Sequence, residues 1–182
     1  MTKIVAITGG IGSGKTTISK YLKKNNFVVH ESDSAVSQIY IKPNKLFLSF
    51  LKKNVSKEVV TRNKIDKQKI AEIIFNDKKT KQKLENYIHK EVKKSRDSFV
   101  KKNIKNKKNL IFVDIPLLFE NKLEKNFDKV LCVIAKKKIR RERVLKNKKF
   151  TKKTLQKIKE TMRKKAQTNN QTYLTICILI VF

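Results

Sequence analysis

The sequence predicts an α/β fold, with a central parallel sheet flanked by helices and further helices inserted between its strands. Three observations point there. Short β-branched runs at Lys3–Thr8, Phe27–His30, Leu110–Ile115 and Lys129–Ala135 read as strands. Segments with helical spacing separate them. The last run, KVLCVIA, is apolar enough to be buried on both faces, as strands of parallel sheets are.

Taken in order, the first strand runs into a glycine turn at Gly9–Gly14. Lys15–Asn25 then places Ile18, Tyr21 and Leu22 on one helical face. After the second strand, Asp33–Tyr40 opens a helix with Ser32 or Asp33 as its cap. Asn44–Leu51 and Asp66–Phe75 read as helices, and Asp77–Val100 as a long one. Its stripe is Leu84, Ile88, Val92 and Phe99, with Tyr87 beside it. After the last two strands, Lys137–Lys146 and Thr151–Lys165 read as basic helices.

With 182 residues, 39% hydrophobic, the chain suits one α/β domain with an appendage rather than a disordered polymer. The formal charge of +31 favours polyanions. The lysines are nevertheless spread along the whole chain beside abundant Asn and Ile, which reads as the compositional drift of AT-rich genomes. No aromatic-interleaved basic patch and no nucleic-acid module is found, so no specific nucleic acid is expected. Cys132 and Cys177 form no metal or redox spacing, and Cys132 is expected as a small buried thiol. No run reaches the roughly 18 apolar residues of a membrane helix, and the N-terminus reads as a strand rather than a signal peptide. A cytoplasmic protein without a membrane partner is expected. The sequence is silent on oligomeric state.

The chemistry begins at Gly9-Gly10-Ile11-Gly12-Ser13-Gly14-Lys15-Thr16, which fits G-x-x-x-x-G-K-[ST] without a gap, between a strand and a helix. Glycines let the backbone curl so that its amides approach phosphate oxygens, and the following helix aims its N-terminus at the anion. Lys15 reaches the β- and γ-phosphates, and the Thr16 hydroxyl is the candidate ligand for Mg²⁺. The nucleotide-binding set is Gly10, Ile11, Gly12, Ser13, Gly14, Lys15, Thr16 and Thr17. Asp33, just past the second strand, is either a general base for a hydroxyl nucleophile or a helix cap. Glu31 is a water-mediated Mg²⁺ support or a solvated strand end. Asp114 is a magnesium-side acid or a structural carboxylate. His89 reads as structural, and Leu117-Leu118-Phe119 as core or hinge packing.

Beyond the loop, TGGIGSGKTT at 8–17 followed by Asp33 resembles the dephospho-coenzyme A kinase family. So do Ile65-Asp66-Lys67 through Phe75-Asn76-Asp77, Leu84-Glu85 with Ile88-His89, and Glu142-Arg143. Asp114-Ile115-Pro116-Leu117-Leu118-Phe119-Glu120 is close to a distinctive motif of that family. The resemblance covers about residues 3–162. It implies a P-loop kinase of three parts, with ATP and Mg²⁺ as cofactors and dephospho-coenzyme A as the substrate, phosphorylated on its ribose 3′-hydroxyl. It also implies Lys15, Asp33 and Arg143 as the catalytic set, with Arg143 either gripping the phosphates or adenine of ATP from a lid or simply solvated on a basic helix. Arg140 and Arg141 are weaker candidates there. The expected division is a nucleotide-binding core at 1–43 and 104–135, a helical substrate-binding insertion at 44–103, a lid and following helix at 136–165, and an atypical tail at 166–182. The alternatives are a kinase of the nucleoside monophosphate type, against which the PLLFE segment argues, and a non-catalytic basic nucleotide-binding protein.

The chain departs from the family pattern in places. Lys67 stands for an arginine, Lys90 for a proline, and Asn147 for a second lid arginine. The tail from Tyr173 to Phe182, apolar except for Thr175, reads as a divergent last strand or, the preferred reading, as a frame change. It is expected either to join the sheet edge or to make the protein poorly soluble.

Overall fold

The structure is a computed structural model that describes residues 1–146 and 175–179. The chain forms two compact units: Met1–Glu31 with the described residues from Val100 onward, and Ser32–Phe99.

The first unit holds a five-stranded sheet of β1 (Lys3–Thr8), β2 (Val28–Glu31), β5 (Leu110–Asp114), β6 (Lys129–Ile134) and β7 (Thr175–Leu179), in the order β2-β5-β1-β6-β7. Every pairing is parallel. The first strand therefore lies between β5 and β6, and the connection after β5 crosses to the far side of it. Such a reversal of strand order leaves a crevice at the carboxyl edge, where open α/β sheets bind ligands. Asp128 fixes the start of β6 on β1, its carboxylate accepting from the Ile4 amide at 2.7 Å. Alternate residues serve the two faces. Ile7, Val29, Phe112, Leu131 and Val133 form one apolar layer, on which Ile18 and Leu22 of α1 (Lys15–Lys24) pack. Ala6, Ile111, Val113 and Val130 are buried as well. Tyr21, expected on the packed face, is instead exposed, because Ile18 and Leu22 fill the stripe.

The second unit contains α2 (Ser32–Ile41), α3 (Lys45–Asn54), α4 (Lys67–Asn76) and the start of α5 (Lys78–Lys105). Phe47 and Leu51 of α3, Ile70 of α4, and Leu84 and Ile88 of α5 make its core. Phe47 stacks on Tyr87 with ring centroids 5.3 Å apart and meets Tyr40 edge-on at 5.4 Å. Side-chain caps start the helices: Asn44 accepts from the Phe47 amide at 2.7 Å, and Asp66 from the amides of Gln68 and Lys69, both at 3.0 Å. Lys67, in place of the family arginine, stands 5.2 Å from the centroid of the Tyr40 ring.

The unit is not wholly helical. A hairpin of β3 (Val60–Thr61) and β4 (Lys64–Ile65) interrupts it. Arg62 and Asn63 both take positive φ, 47° and 62°, as a two-residue turn matched to strand twist requires. Two-residue strands are too short to carry an alternating pattern, so periodicity missed them.

Within the tail, the described residues Thr175–Leu179 lie beside β6 as the edge strand, the first of its two expected fates. The basic helix expected at 151–165, most of the expected lid and Asn147 lie outside the described residues. Among the described residues no helix is long and apolar enough to cross a membrane.

Candidate active site

All four glycines of the chain lie in one six-residue stretch, at positions 9, 10, 12 and 14. The structure shows why two of them are needed. Gly9 has φ 148°, and a β-carbon there would run into the Val133 carbonyl at the end of β6. Gly12 has φ 73°, and its β-carbon would stand 2.7 Å from the Arg140 carbonyl. A side chain at either position would therefore meet backbone that cannot step aside, besides the strain of the left-handed conformation. The loop closes with the Ser13 amide donating to the Gly10 carbonyl at 3.1 Å. Ser13 is buried, and α1 begins at once, with the Thr17 amide on the Gly14 carbonyl at 3.0 Å.

Strand β1, helix α1 and this loop bring together the residues expected to hold nucleotide: Gly10, Ile11, Gly12, Ser13, Gly14, Lys15, Thr16 and Thr17. Lys15 is part-buried and folds back over its own loop, its Nζ donating to the Gly9 carbonyl at 2.8 Å. Thr16 and Thr17 are exposed in the first turn of α1. At the same sheet edge Glu31 and Asp114 are register partners on β2 and β5. Glu31 is held by Lys23 at 2.5 Å, and Asp114 is buried.

A cavity of about 150 Å³ opens beside the loop, lined by Thr8, Gly9, Gly10, Pro116, Phe119, Glu120 and Cys132. Two expectations change here. Cys132 is half-buried at the cavity wall rather than a core thiol, because it comes near the carboxyl end of β6. The Leu117-Leu118-Phe119 run is divided: Leu118 is fully buried, Leu117 is exposed, and Phe119 faces the cavity.

Helix α6 (Lys137–Lys146) supplies two arginines to the loop. Arg140 donates through Nε to the Ile11 carbonyl at 2.9 Å. Arg143 reaches the Gly12 and Ser13 carbonyls at 3.4 and 3.5 Å. Arg140, ranked below Arg143 from the sequence, thus makes the shorter contact, while Arg141 is exposed. In the other unit, Asp33 occupies the first turn of α2 with its side chain exposed. Its backbone carbonyl accepts from Ser37. His89 is exposed on α5 and so is not the satisfied structural histidine expected.

A parallel sheet whose first strand ends in a glycine loop, with a lysine and threonine opening the next helix, defines a P-loop nucleotide-binding protein of the kinase type. The sequence profile of the family described as Dephospho-CoA kinase matches residues 3–177. The chain belongs to that family. Among its relatives is the dephospho-CoA kinase of Fusobacterium nucleatum, 34% identical over 160 residues that span 85% of this chain and 78% of the relative. That of Bartonella quintana is 34% identical over 143 residues, 79% of this chain and 72% of the relative. Two solved structures share the fold. A Thermus thermophilus protein superimposes with a TM-score of 0.74 at 23% identity, over 100% of this chain and 90% of that one. The dephospho-CoA kinase from Campylobacter jejuni gives 0.69 at 22%, with the same coverage.

Proposed function

We propose that this chain is a kinase that transfers the γ-phosphoryl group of ATP to dephospho-coenzyme A. The finer reading is that it does so on the ribose 3′-hydroxyl, with Mg²⁺, in the cytoplasm. The observation that carries the proposal is family membership extending over residues 3–177. The phosphate loop supports it independently.

The roles follow from charge and position. The loop amides other than those of Ser13 and Thr17, which bond to the Gly10 and Gly14 carbonyls, are the donors for the phosphates, and the α1 N-terminus adds its dipole. Lys15 now donates to a neutral carbonyl. A phosphate oxygen is the stronger partner for an ammonium, so nucleotide draws it across to the β- and γ-phosphates. The 3′-oxygen attacks the γ-phosphorus, the bond to the β–γ bridging oxygen breaks, and ADP leaves. The hydroxyl proton passes to Asp33 as general base. That role rests on the family resemblance of the segment ending at Asp33, whose exposed position leaves it open to a substrate hydroxyl. Arg143 offers positive charge to the ATP phosphates.

The residues present fit Mg²⁺. The Thr16 hydroxyl is exposed beside the loop, and Glu31 and Asp114 stand as neighbours at the same sheet edge. Thr16 would hold the ion directly and the carboxylates through water. When bound, it would neutralise charge on the β- and γ-phosphates.

The test is ADP release from ATP in the presence of dephospho-coenzyme A, with adenosine, AMP and shikimate as controls. Product analysis by phosphorus NMR locates the new phosphate. Turnover with dephospho-coenzyme A alone is expected. Equal or faster turnover with AMP would replace this reading with a nucleoside monophosphate kinase.

A further inference from the structure

We propose that Arg140 is a positioning residue for nucleotide, bracing the phosphate loop so that its amides face the phosphates. The proposal rests on the reading of this loop as an ATP site.

In a loop that cradles an anion, successive N–H groups turn inward. Peptide planarity then turns the carbonyls of the same planes outward, where they need donors of their own. Three consecutive outward carbonyls, those of Ile11, Gly12 and Ser13, meet guanidinium groups from α6. Arg140 and Arg143 are three residues apart, which puts both on one helical face. The distances rank them: 2.9 Å is a good hydrogen bond, whereas 3.4 and 3.5 Å are at the weak limit.

Two further contacts tie Arg140 to the loop. A β-carbon at Gly10 would overlap its Nη2, so its guanidinium sits directly against that glycine. Its backbone carbonyl closes on Gly12. Arg140 therefore touches the loop at Gly10, Ile11 and Gly12, through side chain and main chain together. A planar guanidinium suits this task better than an ammonium, because it can lie against a glycine while its edge donates.

The experiment measures ADP and ATP dissociation constants by calorimetry on the full chain, with wild type, Arg140→Met and Arg140→Lys. It also measures steady-state KM for both substrates. A brace acts on the loop as a whole, and the loop holds the phosphates common to ADP and ATP. Arg140→Met is therefore expected to weaken both nucleotides by the same factor, about tenfold. KM for ATP rises in step, KM for dephospho-coenzyme A is unchanged, and the melting temperature stays within about two degrees. Arg140→Lys should lie between the two, and if the methionine variant does not fold, the same comparison on the lysine variant decides. Nucleotide affinity within twofold of wild type overturns the proposal. So does a clearly larger loss for ATP than for ADP, which would mean direct contact with the γ-phosphate. Parallel losses in stability and in dephospho-coenzyme A affinity overturn it as well, since they mark a merely structural residue. If wild type binds neither nucleotide, the reading of the loop itself fails.

Discussion

Lys15 and Asp33 have different tasks in the proposed transfer, so they should respond differently to substitution. Lys15 neutralises charge that grows on the transferring phosphate, and its ammonium already bonds to the loop at the Gly9 carbonyl. Lys15→Ala should leave the fold intact and lower turnover by about 100-fold or more. Turnover near that of wild type would remove the phosphate loop from the mechanism. Asp33 orients a hydroxyl and takes its proton. Asp33→Asn keeps shape while removing basicity, so ATP affinity should be retained and the single-turnover rate should fall. If the variant loses stability but each folded molecule turns over normally, the residue is a cap.

Among the elements, α5 is the longest helix described, and its start depends on Asp77. The Asp77 carboxylate accepts from the Thr80 hydroxyl at 2.7 Å and from the amides of Lys79 at 2.8 Å and Thr80 at 3.1 Å. Those bonds, the Thr80 hydroxyl first, favour the charged form and hold its pKa below the ordinary 3.8. The folded chain thus binds this proton less readily than the unfolded chain. The stabilisation is complete above the unfolded pKa and is lost as pH falls through the folded one. The melting temperature of Asp77→Ala should therefore lie below that of wild type near neutrality, and the gap should narrow below about pH 4. A gap that stays constant down to about pH 3 would show that the carboxylate charge has no part in the cap.

At the scale of the molecule, the sheet is completed by its last strand. Pairing runs from Val130↔Thr175 to Ile134↔Leu179. Without β7, the β6 backbone becomes an unpaired edge at the strand that shapes one side of the phosphate loop. Removing residues 173–182 should lower the melting temperature by several degrees and reduce activity. A truncated chain that is equally stable, or more soluble, would mean that the tail is extraneous to the fold, as a frame change would make it. The charge of +31 belongs to this scale too, since it raises the field for any phosphorylated substrate without selecting one.

Much of the candidate site was legible because it is local. Gly9–Thr16 encodes its own turn, and the strand before and helix after it follow from patterns a few residues long. The same holds for the stripe of Leu84 and Ile88, whose spacing alone puts them on one face. The hairpin at Val60–Ile65 escaped because two-residue strands have no period to read. Tertiary structure alone decided the rest. Arg140 meets Ile11 across 129 positions of sequence. Glu31 comes beside Asp114 only through the register of β2 on β5. Cys132 reaches the cavity wall only because β6 lies next to β1. Register and strand order arise from packing whole apolar faces against each other, a sum over remote residues that no short stretch of sequence contains.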